Sequence, residues 1–312
     1  MSGKAVGTPA RDERSGTQAR WVGVLLWTTA VVAMLSAAVY QRTTGPTYPF
    51  RGDLAVAGDT ATFALIRSEE TVRDARVEVP VPPGADVDGT LVFRRFPTDD
   101  SFTAVPLERT GDTLAAALPA QPAAGKLEYR VELETPDGTI RIPGDYRGGD
   151  DETVIIRFKD PVPAGVLVPH VLFMFFAALV GVRSGLAAVV GRTDFRRYAW
   201  TALGLMTVGG MVLGPIVQKH AFGEFWTGWP NGYDLTDNKT LIMWLVWVVA
   251  CAVLGTARQM RRRERAGRVA VVAATLVMLA VYLVPHSFRG SQLDYSQIDQ
   301  GVDPDEAIET GR

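Results

Sequence analysis

The chain has three histidines, His170, His220 and His286, and each lies in or next to an apolar run. A neutral imidazole is a ligand for copper, zinc and haem iron. A polar side chain in or beside an apolar run faces a cavity or the interior of a bundle and finds a partner there. His170 follows Pro169, and Met174 stands four residues on, on the same helix face, a pairing that suits a soft ion such as copper(I). His170 and His286 are the candidate axial pair for a b-type haem, provided that their helices are neighbours. The absence of a CxxCH motif excludes covalent c-type attachment. The bland alternative is that these imidazoles bond to carbonyls or water and that Met174 only packs.

A second concentration of chemistry lies in Gly214–Thr240, GPIVQKHAFGEFWTGWPNGYDLTDNKT, between two apolar runs. Lys219, Glu224, Asp234 and Lys239 crowd into it, and charges beside a membrane are costly unless paired, so ion pairs or a wet cavity are expected. Asp234 and Asp237 join the three histidines as candidate ligands or supporting groups for a metal such as copper or zinc. Asp237 is also placed to cap the helix that follows. Phe222, Phe225, Trp226 and Trp229 have the composition of an interfacial aromatic belt. A hydrolase built on His220 with Asp234 or Glu224 lacks an identifiable nucleophile, and HExxH, P-loop and nucleophile-elbow motifs are absent. The single cysteine, Cys251, excludes an intramolecular disulfide and reads as core packing.

The elements that position these residues are legible from hydropathy. Trp21–Tyr40 is an uncharged apolar run long enough to span a bilayer, read as an anchor in preference to a cleaved signal peptide ending near Ser36 and Ala38. Four further spans are expected at Val162–Val182, Tyr198–Val217, Leu241–Thr256 and Val269–Val284. The last two are short and must extend into their flanks or sit in thinned bilayer. Residues 162–284 thus form a four-helix bundle with an outer loop at 214–240. In the third span, Gly210 and Gly214 share one face and allow close helix approach. Residues 1–20 and, within the acidic tail 285–312, the stretch Gly290–Arg312 read as disordered.

Between the first two spans, residues 45–158 read as an antiparallel β-sandwich of immunoglobulin-like size. Val77, Val79 and Val81 alternate with polar neighbours, as do Leu127, Tyr129, Val131 and Leu133. Pro136-Asp137-Gly138 marks a turn into Thr139–Ile142. Further strands are expected at 62–66, 91–96, 113–118 and 153–158. The expected fold class is therefore an α+β membrane protein with five transmembrane helices.

Net charge is −2, which gives no nucleic-acid footprint. The basic residues instead orient the chain. Leaving the β domain and its linkers aside, fourteen (Lys4, Arg11, Arg14, Arg20, Arg183, Arg192, Arg196, Arg197, Arg258, Arg261, Arg262, Arg263, Arg265 and Arg268) fall on one side, against Lys219, Lys239, Arg289 and Arg312 on the other. The N-terminus is expected in the cytoplasm of a bacterial cell, with the β domain and the C-terminus outside its inner membrane. Two functions fit: a metal- or haem-binding protein serving electron transfer, metal handling or respiratory-complex assembly, or a non-catalytic scaffold whose β domain binds a membrane or extracytoplasmic protein. Reporter fusions after Gly191 and Gly267 should give a cytoplasmic signal, and fusions after Gly232 and Gly301 an external one. A cytoplasmic signal at Gly232 overturns this orientation.

Overall fold

The computed structural model describes residues 10–56, 58–144, 153–255, 257–285 and 290–309, with side chains left out at 10–17, 19 and 257–262. The chain divides into two compact units. One comprises Met1–Gln41, Pro169–Val212 and Thr240–Val284; the other comprises Arg42–Val168, Leu213–Lys239 and Pro285–Arg312.

The first unit is helical. Five helices are long and apolar enough to cross a membrane: Arg20–Thr44, Ala164–Val189, Phe195–Phe222, Leu235–Leu254 and Arg263–Leu283. The first is the apolar part of α1 (Ala10–Thr44), which begins inside the stretch expected to be disordered. Residues 1–9 lie outside the described residues. α2 spans Ala164–Val189. The third of these helices is composite: α3 (Phe195–Met206), a π-helical segment Thr207–Leu213, then α4 (Gly214–Phe222), which belongs to the second unit. α5 is Leu235–Leu254 and α6 is Ala257–Leu283. The two spans that read as short do extend into their N-terminal flanks.

Small residues let these helices pack closely. A Cβ on Gly185 would lie 2.5 Å from Thr275 Oγ1, and one on Gly181 would lie 2.8 Å from Met278 Cε. Thr275 Oγ1 lies 2.9 Å from the Val271 carbonyl and 3.2 Å from the Gly181 carbonyl, so its single proton is satisfied inside the packed interface. Trp247, Met206, Met278 and Ala199 fill the centre of the bundle. Arg183, counted above as a loop cation, is in fact inside α2 and only 1% exposed. Its Nη2 lies 3.1 Å from Asp194 Oδ2, and its guanidinium stacks on Tyr198 at 4.7 Å and Trp27 at 5.5 Å. The long side chain that reads as a surface charge is therefore held between aromatic rings and a carboxylate.

The second unit carries the strands. They are β1 (Phe50–Val56), β2 (Asp59–Leu65), β3 (Ser68–Glu70), β4 (Ala75–Pro80), β5 (Asp88–Arg95), β6 (Thr103–Pro106), β7 (Glu108–Thr110), β8 (Thr113–Leu118), β9 (Lys126–Thr135), β10 (Gly138–Ile142) and β11 (Val154–Lys159). One six-stranded sheet runs β3-β11-β9-β5-β6, with β10 also on β9. A second is β4-β8-β7, and β1-β2 is a hairpin. The pairing of β3 with β11 is parallel, so the main sheet is mixed where an antiparallel one was expected. Leu91, Leu127, Tyr129, Val131, Ile156 and Phe158 from the large sheet meet Val77, Val79, Leu114 and Leu118 from the small one in a single core. The alternation read in β4 and β9 is the inward face of this core. Gly138 has φ +130°, a conformation that side chains oppose, as the turn expected there requires.

The described part of the acidic tail is not a disordered extension. Residues 290–309 carry β12 (Gln292–Leu293), α7 (Tyr295–Asp299) and β13 (Ile308–Glu309), and β12 pairs with β13. Leu293, Tyr295 and Ala307 are buried together. The Tyr295 hydroxyl accepts from the Lys126 backbone N–H at 3.0 Å and lies 3.0 Å from both the Lys126 carbonyl and Gln121 Oε1. Arg95 binds Asp299 at 2.7 Å. One aromatic anchor with a satisfied hydroxyl thus holds a segment whose composition alone reads as unfolded. Truncating a buried aromatic costs about 3–5 kcal/mol. Tyr295→Ala is therefore expected to abolish hydrogen-exchange protection at Leu293 and Ala307, read by mass spectrometry on the full chain. Unchanged protection refutes the anchor.

Candidate functional site

All the predicted ligands except His286 lie among the described residues. His170 lies in α2 directly after Pro169. Its Nδ1 is 2.9 Å from the carbonyl oxygen of Gly209, inside the π-helical segment. A carbonyl only accepts, so Nδ1 carries the proton and a neutral ring keeps its lone pair on Nε2. The approach that makes this bond depends on glycine. A Cβ on Gly209 would sit 2.8 Å from Phe173 Cβ and 3.2 Å from Met174 Sδ, and one on Gly210 would sit 2.8 Å from Thr240 Cγ2. Gly210 therefore serves packing within the bundle. Single turns of π-helix inside α-helices recur at functional sites. Trp244 Nε1 also donates to Thr207 Oγ1, the first residue of the segment, at 2.9 Å.

His220 occupies the last turn of α4 and is exposed. His286 lies outside the described residues, so the expected three-histidine site and the His170–His286 haem pair have one member there. Among the described residues, no three His, Cys, Asp or Glu side chains gather as a metal-binding group.

Asp234 and Asp237 have structural tasks. Asp234, 4% exposed, occupies the N-cap position of α5. Its Oδ1 accepts from the N–H groups of Thr236 at 2.8 Å and Asp237 at 3.3 Å, and its Oδ2 from Ser291 N–H at 3.2 Å. The cap expected from Asp237 thus belongs to Asp234, because the helix begins at Leu235, nearly two turns before the apolar span read from Leu241. Asp237 points back instead. Its Oδ2 accepts from Thr227 N–H at 2.7 Å, Thr227 Oγ1 at 3.2 Å and Gly228 N–H at 3.1 Å. Asn238 Oδ1 accepts from Trp229 N–H at 2.7 Å.

Both lysines expected to pair within the loop reach backbone carbonyls. Lys239 Nζ donates to the Pro285 carbonyl at 3.2 Å, and Lys219 Nζ to the Gly223 carbonyl. Helix ends and tight turns leave carbonyls and N–H groups free at these positions, and they meet the charge.

Sequence reading did not single out Arg157, a residue of the strand expected at 153–158. Its Nη2 donates to the Ser291 carbonyl at 2.6 Å, and its guanidinium lies 4.2 Å over the Phe222 ring. Burial pulls its pKa down to about 10, partly offset by attraction to Asp234. A Cβ on Gly290 would lie 2.7 Å from Asp234 Oδ2, so only glycine fits at this junction. Lys126, nearby in the same unit, is lowered to about 8 by burial and by repulsion from Arg157, and its Nζ donates to Gln292 Oε1 at 2.8 Å. Nothing local in the strand sequence signals these roles, since the partners are tail and loop residues.

Asp237 is the residue whose removal should be felt most. Asp237→Ala strands the buried N–H groups of Thr227 and Gly228, each costing about 1–3 kcal/mol. Chymotryptic cleavage at Phe225, Trp226, Trp229 or Tyr233 should accelerate at least about tenfold. Asp237→Asn, which keeps one acceptor oxygen, should show a smaller effect. An Ala variant that is cut at the native rate excludes the staple.

Comparison with known proteins returns no relative: no protein-family model matches the chain, and no curated protein matches it significantly.

Proposed function

We propose that this chain is a multi-pass protein of a bacterial inner membrane that binds a metal or haem through His170. In this reading the N-terminus is cytoplasmic, and the β unit, the 214–240 loop and the tail face outside. The observation that carries it is the 2.9 Å bond from His170 Nδ1–H to the Gly209 carbonyl. Metal-ligating histidines use the second ring nitrogen in this way, which fixes the tautomer and raises the basicity of the other. Nε2 then supplies one ligand to haem iron or to a soft ion. Met174, on the same helix face and part-buried near Gly209 and Gly210, favours copper(I) over zinc. Zinc would draw on carboxylates, and Asp234 and Asp237 are already committed to backbone N–H groups. Electron transfer, metal handling and assembly of a respiratory complex all use such a ligand.

The second reading is a non-catalytic scaffold whose β unit binds a membrane or extracytoplasmic protein. The structural commitment of Asp234 and Asp237 favours it, because those carboxylates hold the loop rather than a ligand.

Elemental analysis and haem assay of the purified full chain separate the two. The first reading expects copper or haem near one per chain, with His170→Ala losing about tenfold or more of it while membrane insertion is unchanged. Wild-type protein that carries neither, and takes up neither copper(I) nor haem, leaves the scaffold.

A further inference from the structure

Burial and exposure are inverted in the segment that joins α4 to α5. Its small polar residue Thr227 is 1% exposed, whereas Phe225, Trp229 and Tyr233 are 55%, 66% and 69% exposed. The backbone between them is firmly held. Asp237 takes the N–H groups of Thr227 and Gly228, Asn238 takes that of Trp229, and the Gly228 carbonyl accepts from the N–H groups of Asn231 and Gly232. Trp226 Nε1 donates to the Trp229 carbonyl at 3.0 Å. Exposed large aromatics on a backbone this constrained are presented to something, since ordering the loop has already been achieved without burying them.

We infer that Phe225, Trp229 and Tyr233 form an interfacial anchor that inserts among phospholipid headgroups of the bilayer that this chain's own helices cross. The inference rests on the membrane reading and is independent of any ligand at His170. The helices that this segment joins, Phe195–Phe222 and Leu235–Leu254, are both apolar enough to span. Trp229 is six residues from Leu235, at most about 20 Å of extended chain, so a bilayer crossed by both helices is always within its reach. Trp and Tyr suit that depth because each has an apolar ring and a polar edge. Lys219 adds a cation: its ammonium lies 5.8 Å from the Phe225 ring centre, on a stem long enough to reach headgroup phosphate.

The test uses the full chain in phosphatidylcholine nanodiscs. In a Cys251→Ala background, nitroxide labels are placed singly at Phe225→Cys, Trp229→Cys and Tyr233→Cys, with Asp137→Cys on the exposed β9–β10 turn as the aqueous reference. Power saturation then compares collisions with oxygen, which partitions into lipid, and with a soluble nickel chelate. The anchor predicts an oxygen-to-nickel accessibility ratio several-fold above that at position 137 for at least two of the three sites. Labels as open to nickel as position 137 overturn it. Labels shielded from both reagents also overturn it, because a protein surface then covers the aromatics.

Discussion

A charge withdrawn from water must be repaid in hydrogen bonds, and this constraint organises the segment between the third and fourth apolar helices. Asp234, Asp237 and Lys239 are each less than a tenth exposed. Their partners are mainly backbone groups, because helix ends and turns are where N–H and carbonyl groups lack helical partners. Asp234 caps α5 and also reaches Ser291, so one carboxylate joins a helix start to the tail. Asp237 closes the preceding turn on Thr227 and Gly228. Arg157 extends the network into β11 by bonding the same tail residue, Ser291. Three segments far apart in the chain thereby become one unit.

In the helical unit the controlling term is closeness of approach. In the proposed membrane setting lipid tails are as apolar as the side chains, so helices would associate by contact and by polar bonds rather than by escape from water. Gly181, Gly185, Gly209 and Gly210 remove the Cβ atoms that would hold neighbouring helices apart. Close approach then makes polar contacts possible that longer separations forbid: Thr275 to the Gly181 carbonyl, and His170 to the Gly209 carbonyl. The second matters to the proposed function, because the same bond that satisfies one nitrogen of a part-buried imidazole leaves the lone pair on the other.

Much of this protein was determined by local pattern. A long apolar run fits only a buried or membrane-spanning helix, and a period of two fits only a half-buried strand, so the five long helices and the strands β2, β4, β5, β8, β9, β10 and β11 were legible without knowing their neighbours. The Pro136-Asp137-Gly138 turn was equally local. The short strands β3, β6 and β7 were not, since three or four residues carry no period and take their form from the sheet edge they join.

The remaining features were decided by partners distant in sequence. The tail has the composition of a disordered segment, yet Leu293, Tyr295 and Ala307 order it by packing together, with Tyr295 bonded to Lys126 and Gln121. The choice of Asp234 over Asp237 as the helix cap depends on Thr227 and Gly228, which hold Asp237 turned the other way. Arg183 read as a surface cation until Trp27, Asp194 and Tyr198 surrounded it. Residue type showed that His170 can ligate. Only the packing of α2 against a glycine-lined π-helical segment decided which of its nitrogens is free to do so, because that depends on where a single carbonyl oxygen lies.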